Sequence, residues 1–447
     1  MIDSKGLLKE LKERGFEGNI IGNIKDALDN NSAIYIGTDP SSIKEENRNP
    51  KYPNITSSLH VGHLSAFMAA KFFEKYGVKV IILVGGCTAK MGDPSGKTSD
   101  RALLSYDEIE NNANCIKTQL SKMFDFNSGK ENAPIIVNNN DWMDEYSFVD
   151  FTRNVGKHLT VNYLMAKDSI KMRFEREGSG ISVLEFLYQL VQAYDFVYLR
   201  EKYNCRIQLA GFDQIGNASS GIELGRKSKG YTDMGGYFIP LVCDSNGNKF
   251  GKSENGKAVF LDPHLTSPYD FYQFWLNQSD EMAESLIKKF TMIELDEIYS
   301  LIEKHNENPS ERLLQKTLAK YMTIMIHSED EYNKAIEASN ILFGKGTKEQ
   351  LETIDEDTLL GVMSGVNKTE ISHDEIKDGI NVIEIALKHD KIPSKGEARK
   401  LINGNGFAIN KVKVTDDKSV ITESDLIGGK YLLLQKGKKD YTLAIVK

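Results

Sequence analysis

The stretch LHVGHLSAFMAAKFFEKYGVKVIILVGG, Leu59–Gly86, decides how this chain folds. Its first part is amphipathic, and it closes on Gly77, a residue suited to the left-handed turn that ends a helix. The part that follows, Val78–Gly86, is a near-continuous β-branched run. Such a run predicts a strand covered on both faces, as in a parallel sheet flanked by helices. Working outward, AIYIGTD (Ala33–Asp39), PIIVNNNDW (Pro134–Trp142) and CRIQLAGFDQIGN (Cys205–Asn217) read as further strands running into loops. SVLEFLYQLVQAYDFVYLREKYN (Ser182–Asn204) reads as a long helix with an apolar stripe. Strands alternating with helices predict an α/β fold with a parallel sheet. In such sheets ligands sit beyond the carboxyl ends of the strands. Asp39, Asp93, Asn139 and Asp213 all fall just after strand-like runs.

After Pro268 the text changes. Residues 270–345 carry helical periodicity throughout. Residues 346–380 are polar and weakly patterned and read as a linker. From Val382 a compact unit of two helices and several short strands is expected, an α+β domain. The 447 residues are enough for roughly two to four domains. Hydrophobic content of 40% and charged content of 27% are those of an ordinary globular protein. No apolar run approaches membrane-spanning length, and MIDSKGLLKELKERGF has no signal-peptide core. Cys87, Cys115, Cys205 and Cys243 form no CxxC pair, which argues against a zinc ribbon and for a reducing, cytoplasmic setting. Net charge is −8, yet Lys391–Lys447 alone carries +6 and the rest −14. A small basic module on an acidic body fits an electrostatic footprint for RNA.

Two stretches look like phosphate cradles. MGDPSGKTSDR (Met91–Arg101) and SNGNKFGKSENGK (Ser245–Lys257) both contain Gly-Lys-Ser/Thr. A P-loop needs four residues between its glycines. Gly92–Gly96 and Gly247–Gly251 each enclose three. A third candidate is His60-Val61-Gly62-His63 at a helix start. Two imidazoles three apart share a helical face, and a helix N-terminus favours phosphate. Gly62 leaves room for a ligand. A metal pair lacks a third ligand nearby and has no HExxH glutamate.

HVGH resembles the HIGH signature of class I aminoacyl-tRNA synthetases, and KFGKS resembles their KMSKS signature. YIGTDP, GDPSGKTSDR, NNNDW, VGKHLTVNYLMAKDS, YQLVQAYDF, DQIGN and TSPYDFYQFWLN extend the resemblance along nearly the whole chain to the bacterial tyrosyl-tRNA synthetases. The resemblance implies a Rossmann-type catalytic domain with a dimer-interface insertion over 1–232. It implies a KMSKS-type loop and linker over 233–269 and an α-helical anticodon-region domain over 270–345. After the linker at 346–380 comes a small ribosomal-type RNA-binding domain over 381–447. The implied activity joins L-tyrosine to tRNA(Tyr) through tyrosyl-adenylate, with ATP as substrate. Mg²⁺ would ride on the triphosphate, with no dedicated protein metal site.

The resemblance also implies roles. Tyr35 and Asp195 would grip the phenol hydroxyl, and Asp93, Tyr188 and Gln192 the ammonium. Gln214 and Asn139 would lie near the carboxylate and the rest of the bound amino acid. Gly37, Asp39, Gly62, Gly211, Asp213, Leu241 and Val242 would hold adenine and ribose. His60, His63, Lys97, Arg101, Lys249, Lys252 and Ser253 would surround the phosphates. The Gly/Asn-rich loop bearing Lys249 and Lys252 has few packing residues, which suits closure over triphosphate. Asn154–Ser169 resembles the segment that pairs two subunits into a homodimer. Lys395, Arg399, Lys400, Lys411 and Lys413 are the tRNA phosphate-contact candidates. Three departures stand out. Ser41–Ser57 is inserted between Asp-Pro and HVGH, leaving the usual phosphate-side threonine as Ser41 or Thr56. Phe212 and Ile215 replace residues behind the ribose, and Ile36 follows Tyr35 where relatives often have cysteine. A tryptophanyl relative is disfavoured by Tyr35 with Asp195. A noncatalytic RNA-binding paralogue is disfavoured by the signature lysines and Asp93.

Overall fold

The Val78–Gly86 run folds as its composition predicts: β3 (Val80–Val84) is buried at every position. The structure is a computed structural model that describes residues 2–93, 104–167, 170–171, 181–243, 247, 250–252, 257–343, 347–363, 366–437 and 440–447. It divides into two compact units, Met1–Thr266 with Phe274–Ile326, and Ser267–Gln273 with His327–Lys447.

In the first unit, β1 (Asn19–Ile21), β2 (Ala33–Thr38), β3, β4 (Ile135–Asn138), β5 (Cys205–Gly211) and β6 (Gly235–Ile239) form one sheet. The order is β1-β6-β5-β2-β3-β4. All neighbours run parallel except β1, which lies antiparallel on β6. The chain builds outward from β2 to β4, then returns to place β5 on the other side of β2. Strand order therefore reverses between β2 and β5, where open α/β sheets bind ligands. Two expectations need correction. The edge strand β1 makes the sheet mixed, and β6 lies inside the stretch read as loop and linker. The glycine pair opening β6 hides its strand character. A Cβ on Gly235 would sit 2.4 Å from the Ile21 carbonyl oxygen, so the close crossing of β1 demands glycine there.

Helices cover both faces. Val61–Lys75 is N-capped by His60 and ends before Gly77, whose φ is +86°. Val183–Tyr203 begins with a Ser182/Glu185 capping box and ends on left-handed Asn204. Its inner face joins Tyr35, Trp142, Leu190 and Phe196 in one core cluster. Helices Asp280–Phe290, Leu295–Glu307 and Leu313–Ile326 pack around Ala283, Ile287, Ile298 and Leu314. The N-terminal helix Ser4–Glu13 is tied to them by Arg14, which is 1% exposed. Its guanidinium donates to the carbonyls of Lys288, Thr291 and Ile293 and to Glu10. It also lies 4.2 Å over the Phe72 ring. Arg14 thus caps the end of Asp280–Phe290, where carbonyls have no helical partner.

In the second unit, β7 (Asn367–Ile371), β9 (Phe407–Ile409), β10 (Val412–Lys413), β12 (Tyr431–Lys436) and β13 (Asp440–Val446) form a sheet ordered β10-β9-β12-β13-β7. The short strands β8 (Ile380–Asn381) and β11 (Val420–Ile421) pair separately. Helices Val382–Ala386 and Lys395–Asn403 pack on this unit's core. The linker expected over 346–380 is corrected. It holds helices Lys348–Leu351, Glu356–Val362 and His373–Lys377, and β7 runs parallel along β13. The reason is position: β7 is an edge strand, and only Ile371 of NKTEI is buried. An edge strand with polar faces leaves no apolar alternation to read. Counting 366–390 with the rest reduces the net charge of this unit's C-terminal part to +3 over 366–447. No helix among the described residues is long and apolar enough to cross a membrane.

Candidate active site

The helix Val183–Tyr203 brings Tyr188, Gln192 and Asp195 to one side, as their i, i+4, i+7 spacing predicts. Asp195 is 1% exposed. It accepts from Trp142 Nε1 at 2.8 Å and from Asn139 Nδ2 at 3.1 Å. Burial pushes its pKa up to about 7, against the pull of those two donors, and the Asp39 carboxylate adds to the rise. Tyr35 stands on β2 with its ring 5.2 Å from that of Phe196. Its hydroxyl is buried and has no hydrogen-bond partner among the described residues. Burial, then the charge of Asp195, hold its pKa well above the usual phenol value, so it stays neutral. An unpaired buried hydroxyl costs about 1–3 kcal/mol, which a hydroxyl-bearing ligand would relieve.

Asn139 stands beside Asp195. Its Oδ1 accepts from the Cys87 amide at 2.7 Å and its Nδ2 reaches Asp195, so it belongs to the Asp195 end of the site. Trp142 received no role from sequence reasoning. Its signal was the NNNDW text itself, at the carboxyl end of β4.

A second cluster gathers around Gln214. Its Nε2 donates to Asp93 at 3.1 Å and to Asp213 at 3.3 Å. Its Oε1 accepts from Gln192 Nε2 at 3.3 Å and from Asn217 Nδ2 at 3.1 Å. Two carboxylates joined by neutral amides make a receptor for a cation such as an ammonium. Gln214 therefore sits with Asp93 and Gln192, and the Tyr188 hydroxyl donates to Asp39 at 2.8 Å. Thr88 Oγ1, unforeseen from the sequence, donates to the other Asp39 oxygen at 2.7 Å. Asp39 thus links the residues assigned to the amino acid with those assigned to nucleotide.

The nucleotide candidates cluster at the switch point. Gly37 is next to last in β2, and a Cβ there would meet nothing within 4 Å. Gly211 ends β5, and a Cβ there would strike Asp213 Oδ1 at 2.5 Å. Leu241 follows β6 with 48% exposure, an apolar surface suited to a flat base. Val242 accepts from the Phe250 amide at 2.9 Å.

His60 and His63 stack with centroids 3.8 Å apart. His60 Nδ1 accepts from the Gly62 amide, and His63 Nδ1 accepts from the His60 amide, both at 3.1 Å. Protein packed around His63, then His60, push its pKa down to about 3. Its ring still reaches solvent, which moderates the shift, and it is neutral at pH 7 either way. With Nδ1 accepting, a neutral ring carries its proton on Nε2. The pair therefore offers N–H donors rather than cations. Gly62 has a structural reason: a Cβ would lie 2.9 Å from the His60 ring and 3.0 Å from the Phe250 carbonyl oxygen.

Of the phosphate-side lysines, Lys252 is described, exposed, and bridged to Ala258. Lys97, Arg101, Lys249 and Ser253 lie outside the described residues. The sparsely packed loop is corrected at Phe250, which is 7% exposed and packs against Phe274, Trp275 and Phe290 at 5.2–6.0 Å. In the second unit, Lys395 pairs with Glu384, and Arg399 lies 3.6 Å from Asp417. Lys411 lies over the Tyr441 ring at 5.1 Å, and burial lowers its pKa. Lys400 and Lys413 are exposed.

Comparison with known proteins bears on this geometry. Residues 54–344 match the family described as "tRNA synthetases class I (W and Y)". The chain is 46% identical to a tyrosine–tRNA ligase of Bacteroides thetaiotaomicron, over 98% of this chain and 99% of that protein. The chain belongs to the tyrosine–tRNA ligase family. A Flavobacterium johnsoniae member is 43% identical over 98% of each chain. Residues 360–444 match the "Tyrosine--tRNA ligase SYY-like C-terminal domain", so this family domain starts well before Asn381 and takes in β7. Among solved structures, a truncated mitochondrial tyrosyl-tRNA synthetase of Coccidioides posadasii superposes with a TM-score of 0.60 at 27% identity. That match covers 74% of this chain and 90% of the other.

Proposed function

We propose that this tyrosine–tRNA ligase site activates L-tyrosine with ATP and passes the tyrosyl group to the 3′-terminal adenosine of tRNA(Tyr). The observation that supports it most is the buried Asp195 carboxylate beside the unpartnered Tyr35 hydroxyl. A phenolic substrate hydroxyl can donate to Asp195 and accept from Tyr35. Phenylalanine would leave the Tyr35 hydroxyl unpaired and bring no donor to Asp195. Asp93, with Gln192 and Gln214, takes the ammonium, which orients the substrate carboxylate for attack on the α-phosphorus.

That carboxylate is ionised at pH 7, so no general base is required. The P–O bond to pyrophosphate breaks as the carboxylate–phosphorus bond forms, and negative charge grows on phosphate oxygens. Neutral His60 and His63 meet that charge with Nε2–H donors, and Lys252 meets it with a cation. Lys97, Arg101, Lys249 and Ser253 are assigned to the same phosphates. Asp213, Gly37, Gly211, Leu241 and Val242 hold adenosine. Mg²⁺ bound to the triphosphate would supply charge neutralisation there.

The apolar side chain of Val161, 62% exposed within Asn154–Ser169, supports a homodimer through that segment. Lys395, Arg399, Lys400, Lys411 and Lys413 are assigned to tRNA phosphates. Lys395 and Arg399 must exchange their carboxylate partners for phosphate to serve.

The direct test is amino-acid-dependent pyrophosphate exchange into ATP with tyrosine, phenylalanine and tryptophan. Exchange with tyrosine alone is expected, and its absence sinks the reading. Lys252→Ala should slow activation by about 10²-fold, the scale of losing one charge-stabilising group. Tyrosine affinity, measured by equilibrium dialysis, should stay unchanged. An equal loss of tyrosine binding contradicts the assignment.

A further inference from the structure

The inserted stretch Ser41–Ser57 has no part in the mechanism above, yet it is pinned at both base and tip. At the base, Asn112 on the helix Tyr106–Leu120 is fully buried. Its Nδ2 donates to the Pro40 carbonyl at 3.1 Å and to Ser42 Oγ at 3.0 Å, and its Oδ1 accepts from Thr56 Oγ1 at 2.6 Å. One side chain so holds the start and the end of the insertion. Ser57 Oγ donates to the Ser41 carbonyl at 2.8 Å, which closes the base. Gln119, two turns further along the same helix, accepts from the Leu59 amide at 2.9 Å and holds Ser58 Oγ at 3.1 Å. The helix face bearing Asn112 and Gln119 therefore fixes the chain on its way into His60.

The tip reaches the second signature. Asn49 Nδ2 donates to the His264 carbonyl at 2.7 Å, and the Tyr52 ring stacks on the His264 imidazole at 4.0 Å. His264 lies in the turn Asp262–Thr266, which ends the segment leaving the KFGKS loop. That segment runs along the start of the first signature. The Val61 amide donates to the Val259 carbonyl, and the Leu261 amide to the Leu59 carbonyl, both at 2.9 Å. It also carries Ala258, which bridges Lys252, and Val259, whose amide donates to the Gly251 carbonyl at 2.9 Å.

We propose that the insertion is a brace, in which Tyr52 and Asn49 are positioning residues holding the exit of the Lys252 loop against the His60 end of its helix. The brace serves the ATP half of the reaction. Asp195, Asn139 and Trp142, at the amino-acid end, bond to one another and to neither base nor tip. The inference rests on the activity proposed above, so the wild-type enzyme is measured first. Wild type without tyrosine-dependent exchange fails that reading rather than this one.

Tyr52 and Asn49 are half-buried, so the Tm of each variant is read beside its kinetics. Tyr52→Ala should lower kcat/KM for ATP by about three- to tenfold, the worth of one aromatic stack. KM for tyrosine and Tm should hold at the wild-type values. Asn49→Ala should shift the same parameter in the same direction. Tyr52→Phe, which keeps the stack, should restore wild-type kinetics. Wild-type ATP kinetics in Tyr52→Ala overturns the proposal. So does a parallel loss in the tyrosine and ATP parameters, or a Tyr52→Phe variant as defective as Tyr52→Ala.

Discussion

Asp195→Ala should lose tyrosine activation by about 10²-fold or more in kcat/KM while the protein stays folded. A hydrogen bond to a charged acceptor is worth about 1.5–3 kcal/mol, and without it the phenol O–H stays buried with no acceptor. The variant also strands the Asn139 and Trp142 donors, which lowers stability without unfolding the sheet. Pyrophosphate exchange with tyrosine, beside a circular dichroism spectrum, checks both statements. Unchanged activation would remove Asp195 from the site.

The same carboxylate gives a pH signature. With its pKa near 7, Asp195 is largely protonated at pH 6 and largely ionised at pH 8. A phenol donates best to the ionised form, so bound tyrosine favours deprotonation. Tyrosine affinity should therefore rise as pH goes from 6 to 8, by up to about tenfold for each pH unit below the pKa. Equilibrium dialysis across that range reads it. A flat profile would mean that bound tyrosine does not sense the ionisation of Asp195.

The second large effect concerns stability. Arg14→Ala should cost about 3–5 kcal/mol in urea unfolding of the first unit, the scale of breaking a buried ion pair from one side. The substitution strands the carbonyls of Lys288, Thr291 and Ile293 and takes a cation from Glu10. Lys75 and Tyr76 still bond to Glu10, so its carboxylate keeps two partners. Arg14 lies apart from the assigned substrate contacts, so exchange activity measured below the unfolding transition should persist. A loss below about 1 kcal/mol would show that water replaces the guanidinium at the helix end.

Much of the fold was legible for simple reasons. The β-branched run at Val78–Gly86 and the periodic helix Ser182–Asn204 are local patterns, and both formed where they were read. Gly77 closed its helix because a left-handed residue was needed there. What escaped were elements without a local pattern. β6 opens on two glycines, of which Gly235 makes room for the crossing of β1, and β7 is a polar edge strand whose partner lies about seventy residues away. The site divides in the same way. Tyr188, Gln192 and Asp195 share a helical face by spacing alone. That Tyr188 bonds to Asp39 while Gln192 bonds to Gln214 depends on which strand ends stand beside that face.

By itself, then, the sequence determined the α/β class, the strand ends that carry the site, and the family, since these rest on periodicity and on short motifs. Tertiary structure alone decided the rest. It showed that Asn139 and Trp142 each donate to Asp195, and that His60 and His63 take their amide partners through Nδ1. It showed Phe250 anchoring a loop that reads as sparsely packed, and Ser41–Ser57 reaching His264. Each of these joins residues far apart in the chain. Their energies come from burial and hydrogen-bond partners, which no local pattern records.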